Sequence, residues 1–148
     1  QPIVSGFAAV RRQMEDGAHL VCAVMLDGTL RELHELRRRI APDKPPAVRL
    51  PESAELRQAL TANGLGIARM DVAELQTRHA SAAELLRRLH DQGVTAGPLA
   101  GAQRPLVRGE LQRLTAAYDS MFAGGAGVAA TYQVAYVLAV KNEPKSGI

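Results

Sequence analysis

Three stretches of the chain have the length and apolar content of β-strands. Residues 19–26 form a continuous apolar run without polar alternation, which favours a strand covered on both faces, as in a parallel α/β sheet. The pair Asp27-Gly28 closes this run. Residues 67–76 predict a second strand, and residues 131–140, which are rich in β-branched and aromatic side chains, predict a third.

Five segments place apolar residues at the three- and four-residue spacing of an amphipathic helix. They are residues 7–14, 30–40, 53–60, 81–92 and 107–122. Thr29 and Ser53 are predicted to cap the second and third of these helices. Ser81 and Glu84 have the spacing of a capping box at the start of the fourth helix.

The predicted elements follow one another in the order helix, strand, helix, helix, strand, helix, helix, strand. The sequence therefore predicts an α/β protein with a thin sheet of three strands, folded as a single domain over residues 1–148. Residues 94–105 are rich in glycine and proline and predict a loop. The glycine cluster at 124–127 precedes a strand and not a helix, so it predicts a flexible hairpin connection and not a phosphate-binding loop.

The composition fits one folded domain, with 148 residues of which 47% are hydrophobic and 22% are charged. No apolar run approaches the roughly 20 residues of a membrane-spanning helix, and no signal peptide is expected. The single cysteine, Cys22, excludes an internal disulfide and favours a cytoplasmic location. The net charge of +3 fits either an acidic partner or an arginine bias on solvated helix faces.

The residue types used in catalysis are present without the spacing that catalysis requires. The four histidines share no metal-ligand spacing, and one cysteine does not complete a zinc site. No HExxH motif, P-loop or nucleophile–histidine–acid arrangement is found. The arginine run at 37–39 lacks the aromatic or glycine residues of nucleic-acid sites. We therefore expect no catalytic residue, no metal and no nucleic-acid partner for this chain.

Two stretches carry a family resemblance. Residues 26–33, Leu-Asp-Gly-Thr-Leu-Arg-Glu-Leu, are similar to the segment after strand five in the malonyl-carrier-protein O-methyltransferases of biotin synthesis. Residues 130–136, Ala-Thr-Tyr-Gln-Val-Ala-Tyr, followed by Lys141, resemble the last strand of that family. The helices at 85–93 and 114–121 resemble its intervening helices. The chain also resembles the mitochondrial complex I assembly factor of the same superfamily, which is linked to arginine hydroxylation.

The resemblance implies the carboxy-terminal half of a class I S-adenosylmethionine (SAM) methyltransferase. This half would be a partial Rossmann-like sheet, strands five to seven, with a helical insert that caps the substrate. The complete enzyme would use SAM to methylate an oxygen of a malonyl-carrier protein or a similar acyl carboxylate. The glycine-rich turn and the ribose-binding acid of the family belong to the amino-terminal half, so we expect no SAM to bind this chain alone. Two alternatives stay open: a non-catalytic half-domain that acts as a scaffold, and part of an arginine-hydroxylase-like relative.

Six residues are predicted to bind the substrate. Ligands of open α/β sheets bind where strands end at their carboxyl side, as the first predicted strand does here. An arginine one turn farther can meet a carboxylate bidentately, and two tyrosines on the last strand can reach a ligand. Each has a structural alternative: a capped turn, a solvated arginine, or tyrosines packed on a helix. The six are Asp27, Gly28, Thr29, Arg31, Tyr132 and Tyr136.

The resemblance also predicts a partner. Residues 20–26 would be strand five, which pairs with strand four on one side and strand seven on the other. Since no segment here can serve as strand four, the run from Leu20 to Leu26 would be an unpaired apolar edge. The missing amino-terminal half, a second copy or the short first helix would cover it, and an acidic acyl carrier protein is a further possible partner. Because the chain begins at Gln1 in a helix-like segment, we expect it to derive from something longer.

Overall fold

The computed structural model describes residues 2–96, 101 and 104–142. Of the loop predicted at 94–105, residues 97–100 and 102–103 lie outside the described residues. The helices are α1 (Pro2–Gln13), α2 (Arg31–Ile40), α3 (Ser53–Ala62), α4 (Ala82–Asp91) and α5 (Arg108–Met121), with a 3-10 turn at Val94–Ala96. The strands are β1 (His19–Met25), β2 (Leu65–His79), β3 (Ala123–Gly124) and β4 (Gly127–Lys141). The long elements follow in the predicted order.

The strands form one sheet in which the last strand lies between the other two long ones. The order is β1-β4-β2, and the short β3 also pairs with β4. β1 and β4 are antiparallel, with His19 opposite Val140 at one end of the register and Met25 opposite Val134 at the other. The prediction of a parallel sheet from the apolar run at β1 is therefore wrong for the pairing that β1 makes.

β1 is covered on one face and not on both. Leu20, Cys22 and Val24 pack against an apolar cluster, and burial raises the pKa of the Cys22 thiol. The alternate residues face outward, and the Val21 side chain is 77% exposed. Successive side chains of a strand point to opposite faces, so an apolar run on an edge strand with one packed face leaves every second residue bare. This is why the expectation of burial on both faces is wrong for the described residues.

The chain divides into two compact units, each formed by discontinuous segments. The first unit comprises Gln1–Leu26, Pro51–Ala73 and Val134–Ile148. Its core joins the strands to α1 and α3. The core residues are Phe7, Leu26, Leu56, Ala59, Leu60, Leu65, Ala135, Val137 and Ala139. The helix stripe and the alternating strand positions thus bury the residues that their periodicities assign to one face.

The second unit comprises Asp27–Leu50 and Glu74–Gln133. Leucines of α2, α4 and α5 form its core together with Tyr118, whose side chain is 1% exposed. The Tyr118 hydroxyl donates to the carbonyl oxygen of Ala129 at 2.6 Å, which satisfies the one polar group of this buried ring. Burial raises the pKa of Tyr118, so its hydroxyl stays protonated.

Two helix caps differ from their predicted form. α3 begins at Ser53, and its N-cap is Glu52, whose backbone N–H donates to the Glu55 carboxylate at 2.8 Å. Ser53 is therefore inside the helix and the prediction that it caps α3 is wrong. At α4 the Ser81 Oγ accepts from the Glu84 N–H at 3.2 Å, as predicted. The Glu84 carboxylate accepts from the N–H of Ala80, one residue before the cap, at 2.6 Å.

The glycine cluster forms a hairpin. Gly124 of β3 lies opposite Gly127 of β4, so Gly125 and Ala126 make a two-residue turn. A Cβ added to Gly127, which has φ +95°, would lie 2.0 Å from the carbonyl oxygen of His79, so only glycine fits there. Among the described helices, none combines the length and apolar character needed to cross a bilayer.

Candidate functional site

The turn after β1 contains two left-handed backbone positions. Gly28 has φ +92°, and Leu30, which precedes α2, has φ +54° and ψ +34°. Glycine adopts this conformation without strain, whereas leucine does not. The Leu30 side chain is fully buried in the second unit, and this packing holds its unfavourable backbone in place. A Cβ on Gly28 would lie 3.1 Å from Cγ of Gln133, so space as well as φ favours glycine.

Thr29 joins this turn to β4. Its Oγ1 donates to the Gln133 carbonyl oxygen at 3.1 Å and accepts from the Gln133 N–H at 3.0 Å. The next residue, Leu30, donates its N–H to the Thr131 carbonyl oxygen at 2.6 Å. The prediction that Thr29 caps α2 is wrong, because the N-cap is Leu30 and no side chain caps this helix. Thr29 is 2% exposed, and its hydroxyl serves the sheet instead.

The first turn of α2 carries a buried carboxylate that also belongs to this junction. Glu32 is 6% exposed. One of its oxygens accepts from the Thr131 N–H at 3.2 Å, and the other accepts from the Thr131 hydroxyl. A buried carboxylate needs such donors. The start of α2 is therefore fixed to β4 by main-chain and side-chain bonds.

A cleft of about 480 Å³ opens beside this junction, within the second unit. Arg31, His34 and Arg38 lie on one face of α2, since three and seven residues after the first return to the same side of a helix. The loop after α2 adds Arg49. The lining residues are Asp27, Gly28, Thr29, Arg31, His34, Arg38, Pro46, Val48, Arg49 and Leu50. The lining includes three arginines and one carboxylate, Asp27, and this excess of positive charge favours an anionic ligand.

Arg31 is held by a carboxylate of β2. Its Nη1 and Nη2 donate to the two carboxylate oxygens of Glu74 at 3.0 and 3.3 Å. The side-chain amide of Gln133 donates to Glu74 Oε2 at 2.6 Å. The Arg31 guanidinium lowers the pKa of Glu74, and Glu74 raises that of Arg31. Both side chains are about half exposed, at 51% and 50%, so the pair lies at the surface of the cleft region.

The loop that supplies Arg49 is anchored to α5. Lys44 Nζ donates to the Glu110 carboxylate at 2.7 Å, with side-chain exposures of 11% and 15%. The same carboxylate accepts from the N–H of Val107 at 2.8 Å. The hydrogen bond from Lys44 and that from Val107 both lower the pKa of Glu110. A polar contact thus positions one wall of the cleft.

Four of the six predicted substrate-binding residues meet at this cleft. Asp27, Gly28, Thr29 and Arg31 all line it, although the Thr29 hydroxyl is occupied by Gln133. The two tyrosines do not line it.

Both tyrosines of β4 lie elsewhere. Tyr132 packs against the apolar core of the second unit, and burial raises the pKa of its hydroxyl. Tyr136 belongs to the first unit, is 46% exposed, and lines a shallow groove with Val21 and Ala23. Tyr132 is therefore a packing residue, which is the structural alternative stated for it. Tyr136 lies on the solvent-exposed face of the sheet.

Several residues of the site were not predicted. His34 and Arg38 could have been found from the helical spacing that relates them to Arg31. Glu74 and Gln133 could not, because they are 43 and 102 residues from Arg31 and no local pattern announces such pairing. Arg49 lies in a proline-flanked loop whose path no periodicity determines.

The described residues build neither a metal site nor a SAM cradle. Among them, no group of three or more His, Cys, Asp or Glu side chains could hold a metal ion. The glycine cluster leads from one strand of a hairpin into the other, whereas a cofactor-binding glycine turn leads into a helix amino terminus. The described glycine cluster therefore does not form a SAM-binding turn of that kind.

Comparison with known proteins shows the fold and not a family. No protein-family model and no curated protein matches the chain by sequence. Among solved structures, a proposed methyltransferase from Bacillus halodurans C-125 is similar over 95% of this chain and 63% of its own, with a TM-score of 0.54 and 9% identity. A protein of unknown function from Deinococcus radiodurans R1 is similar over 93% of this chain and 46% of its own, with a TM-score of 0.46 and 15% identity.

The similarity to the Bacillus structure shows that the chain has an α/β fold like that of this structure. The chain spans about half to two thirds of the length of the structures that it resembles. At 9% identity, the similarity to the Bacillus protein concerns the fold alone.

Proposed function

We propose that this chain is the acceptor-binding part of a SAM-dependent O-methyltransferase, with the arginine-lined cleft as the place of the acceptor. The observation that carries the proposal is the position of this cleft. Its lining residues Asp27, Gly28 and Thr29 follow the end of β1 closely in the chain, and the fold of this chain resembles that of a proposed methyltransferase. Open α/β sheets bind their ligands at such ends.

The strand pairing supports a more detailed assignment. β1, β4 and β2 would be strands five, seven and six of a class I methyltransferase. In that fold strand five pairs with strand seven, and here β1 pairs with β4. The methyl donor SAM would bind to the amino-terminal half, which lies outside this chain. This chain would orient the acceptor and exclude water.

The charge of the cleft supports an acidic acceptor. Arg31, Arg38 and Arg49 line it with a single carboxylate among the described lining residues. An acyl carboxylate on a malonyl-carrier protein has the required charge and a flexible arm that can enter a cleft. The carrier protein's acidity would also suit a chain of net charge +3.

The partner of the chain is part of the proposal. β1 has no described neighbour on its outer edge, and Val21 is 77% exposed beside Ala23 and Tyr136. We propose that the amino-terminal half, or a second copy, pairs along the strand from Leu20 to Leu26. The same bare edge and face favour the competing function, a non-catalytic half-domain that acts as a scaffold.

The Arg31→Ala substitution in the assembled protein tests the acceptor site. Acceptor kcat/KM should fall roughly tenfold or more, because a charged bidentate contact is lost, while the Kd for SAM should stay within about twofold. Arg87→Ala, at an exposed position of α4 outside the cleft, is the matched control. Unchanged acceptor kinetics in Arg31→Ala would remove Arg31 from the site.

Calorimetry on this chain alone tests the proposal that SAM binds to the amino-terminal half and not to this chain. We expect no SAM binding at micromolar concentrations, because the described glycine cluster does not form a SAM-binding turn. Stoichiometric binding would place a cofactor site on this half and contradict the assignment. Failure of the assembled protein, with its SAM site intact, to methylate any carboxylate would favour the scaffold.

A further inference from the structure

The bidentate pair between Arg31 and Glu74 has the geometry of a ligand complex. Glu74 presents two carboxylate oxygens to the two terminal nitrogens of Arg31, at 3.0 and 3.3 Å. This fork-to-fork arrangement is the one by which arginine recognises the carboxylate of a ligand. Glu74 therefore occupies the position that an incoming carboxylate would take on Arg31.

We propose that Glu74 is an internal competitor of the ligand, and that it makes the cleft selective for anions with two negative charges. The inference rests on the proposed function, since it assumes that the cleft receives the acceptor. It narrows that acceptor to one with a second anionic group, because the acyl group of a malonyl thioester has a single carboxylate. It adds Glu74 as a specificity-determining residue and a dianion, such as a dicarboxylate or a phosphate, as the ligand class.

The selectivity follows from what each ligand exchanges. A monocarboxylate that displaces Glu74 replaces one carboxylate on Arg31 by another and gains little. A dianion reaches Arg31 with one group and can engage Arg38, which lines the same cleft, with the second. Only the dianion gains a new charged contact. Only a dianion therefore binds Arg31 more favourably than Glu74 does.

Replacing Glu74 on Arg31 by a ligand anion costs little free energy in this structure. Arg31 and Glu74 are 51% and 50% exposed, and exposed ion pairs contribute little to stability. The displaced carboxylate also keeps a partner, because the side-chain amide of Gln133 donates to Glu74 at 2.6 Å. Gln133 is itself fixed by the two hydrogen bonds that its main chain makes with Thr29. Glu74 can therefore release Arg31 without becoming an isolated charge.

The test is a titration of the full chain with acetate, malonate and inorganic phosphate at fixed ionic strength. Nuclear magnetic resonance signals of the Arg31 side-chain N–H groups and of the Gln133 amide report binding and release of Glu74. In the unaltered protein, malonate and phosphate should bind on the order of tenfold more tightly than acetate. In Glu74→Gln, acetate affinity should rise about threefold to tenfold, because Arg31 no longer has a charged competitor.

The double variant Arg31→Ala, Glu74→Gln separates this competition from a general change of charge. If Glu74 acts by occupying Arg31, the gain in acetate affinity disappears once Arg31 is absent. Glu35→Gln makes the same charge change at an exposed pair, Glu35 with Arg39, and should leave acetate affinity unchanged. Circular dichroism checks that each variant is folded.

Four results would overturn the inference: no binding of any of the three anions, no gain in acetate affinity in Glu74→Gln, an equal gain in Glu35→Gln, or an equal gain in the Arg31→Ala background. These titrations contain no methyl donor and no transfer reaction. A protein that methylates an acidic acceptor yet shows no Glu74 effect would therefore sink this inference and leave the proposed function standing.

Discussion

Thr29 and Gln133 exchange two hydrogen bonds: the threonine hydroxyl donates to the glutamine carbonyl oxygen at 3.1 Å and accepts from its N–H at 3.0 Å. A single side chain thus satisfies both main-chain groups of a residue on β4. Because Thr29 is 2% exposed, water cannot replace it.

Thr29→Val should destabilise the protein by about 1–3 kcal/mol, because it keeps the shape of the side chain and leaves the Gln133 main chain unpaired. Thr29→Ser, which keeps the hydroxyl, should lose less. Thr115→Val is the control, since the Thr115 hydroxyl bonds only within its own helix, to the carbonyl oxygens of Leu111 and Gln112. Urea unfolding measures the three variants. Equal stability of Thr29→Val and Thr115→Val would show that the hydrogen bonds between Thr29 and Gln133 do not stabilise the protein.

Two glycines should respond to alanine with opposite sign. Gly28→Ala should cost about 1–2 kcal/mol, because Gly28 has φ +92° and its new Cβ would meet Gln133 at 3.1 Å. Gly109→Ala, inside α5 with open space around it, should stabilise by about 0.5–1 kcal/mol. Thermal unfolding of both variants checks the prediction. A stabilised Gly28→Ala would show that the turn after β1 is not as described.

The Lys44–Glu110 pair should make the loop beside the cleft sensitive to acid. The folded pKa of Glu110 lies below its ordinary value, because Lys44 and the Val107 N–H donate to the carboxylate. The unfolded state then binds more protons between the two pKa values, so stability is present above the ordinary pKa and is lost as pH falls through the lowered one.

Unfolding by urea at pH 7 and at pH 3 measures this dependence. Lys44→Met should reduce the difference between the two pH values, because it removes the main cause of the lowered pKa of Glu110. Arg88→Met is the control for the loss of an exposed ion pair. Arg88 pairs with Glu84, and the Arg88 side chain is 62% exposed. A pH dependence identical in the unaltered protein and in Lys44→Met would show that this ion pair does not anchor the loop.

Association through β1 should depend on Val21. The unaltered chain is expected to form an oligomer, or a complex with its amino-terminal half, through the strand from Leu20 to Leu26. Val21→Lys places a charge on the bare face and should shift sedimentation towards the monomer. Val107→Lys, at a residue that is 58% exposed in the second unit, should not. A monodisperse monomer whose β1 amides resist hydrogen exchange would show that the edge is satisfied within the chain.

Features of the fold that depend on residues nearby in the sequence could be predicted, whereas features that depend on distant residues could not. The Ser81 cap and the hairpin at Gly127 depend on neighbours a few residues away, and both were predicted. The hydrogen bonds of Thr29 to Gln133 were not predicted, because Gln133 is 104 residues distant. A threonine before a helix has the same local pattern whether it caps the helix or bonds to a distant strand. β1 was predicted as a strand from its apolar residues, yet its bare face follows from its position in the sheet, which no local pattern encodes.

The residues of the candidate site likewise divide into those that local sequence predicts and those that depend on distant parts of the chain. Arg31 was predicted from its place one turn beyond the strand end, and it lines the same cleft as Asp27 and Gly28. Glu74 comes from another strand, 43 residues farther along the chain, so its contact with Arg31 depends on strand pairing and not on local spacing.

The central position of β4 has a consequence for synthesis. β1 ends at Met25, and its partner strand begins only at Gly127, 102 residues later. At a ribosomal rate of roughly 5–20 residues per second, the apolar first strand leaves the ribosome about 5–20 s before the strand that pairs with it. During this interval the nascent chain exposes an apolar, aggregation-prone segment whose partner strand has not yet been made.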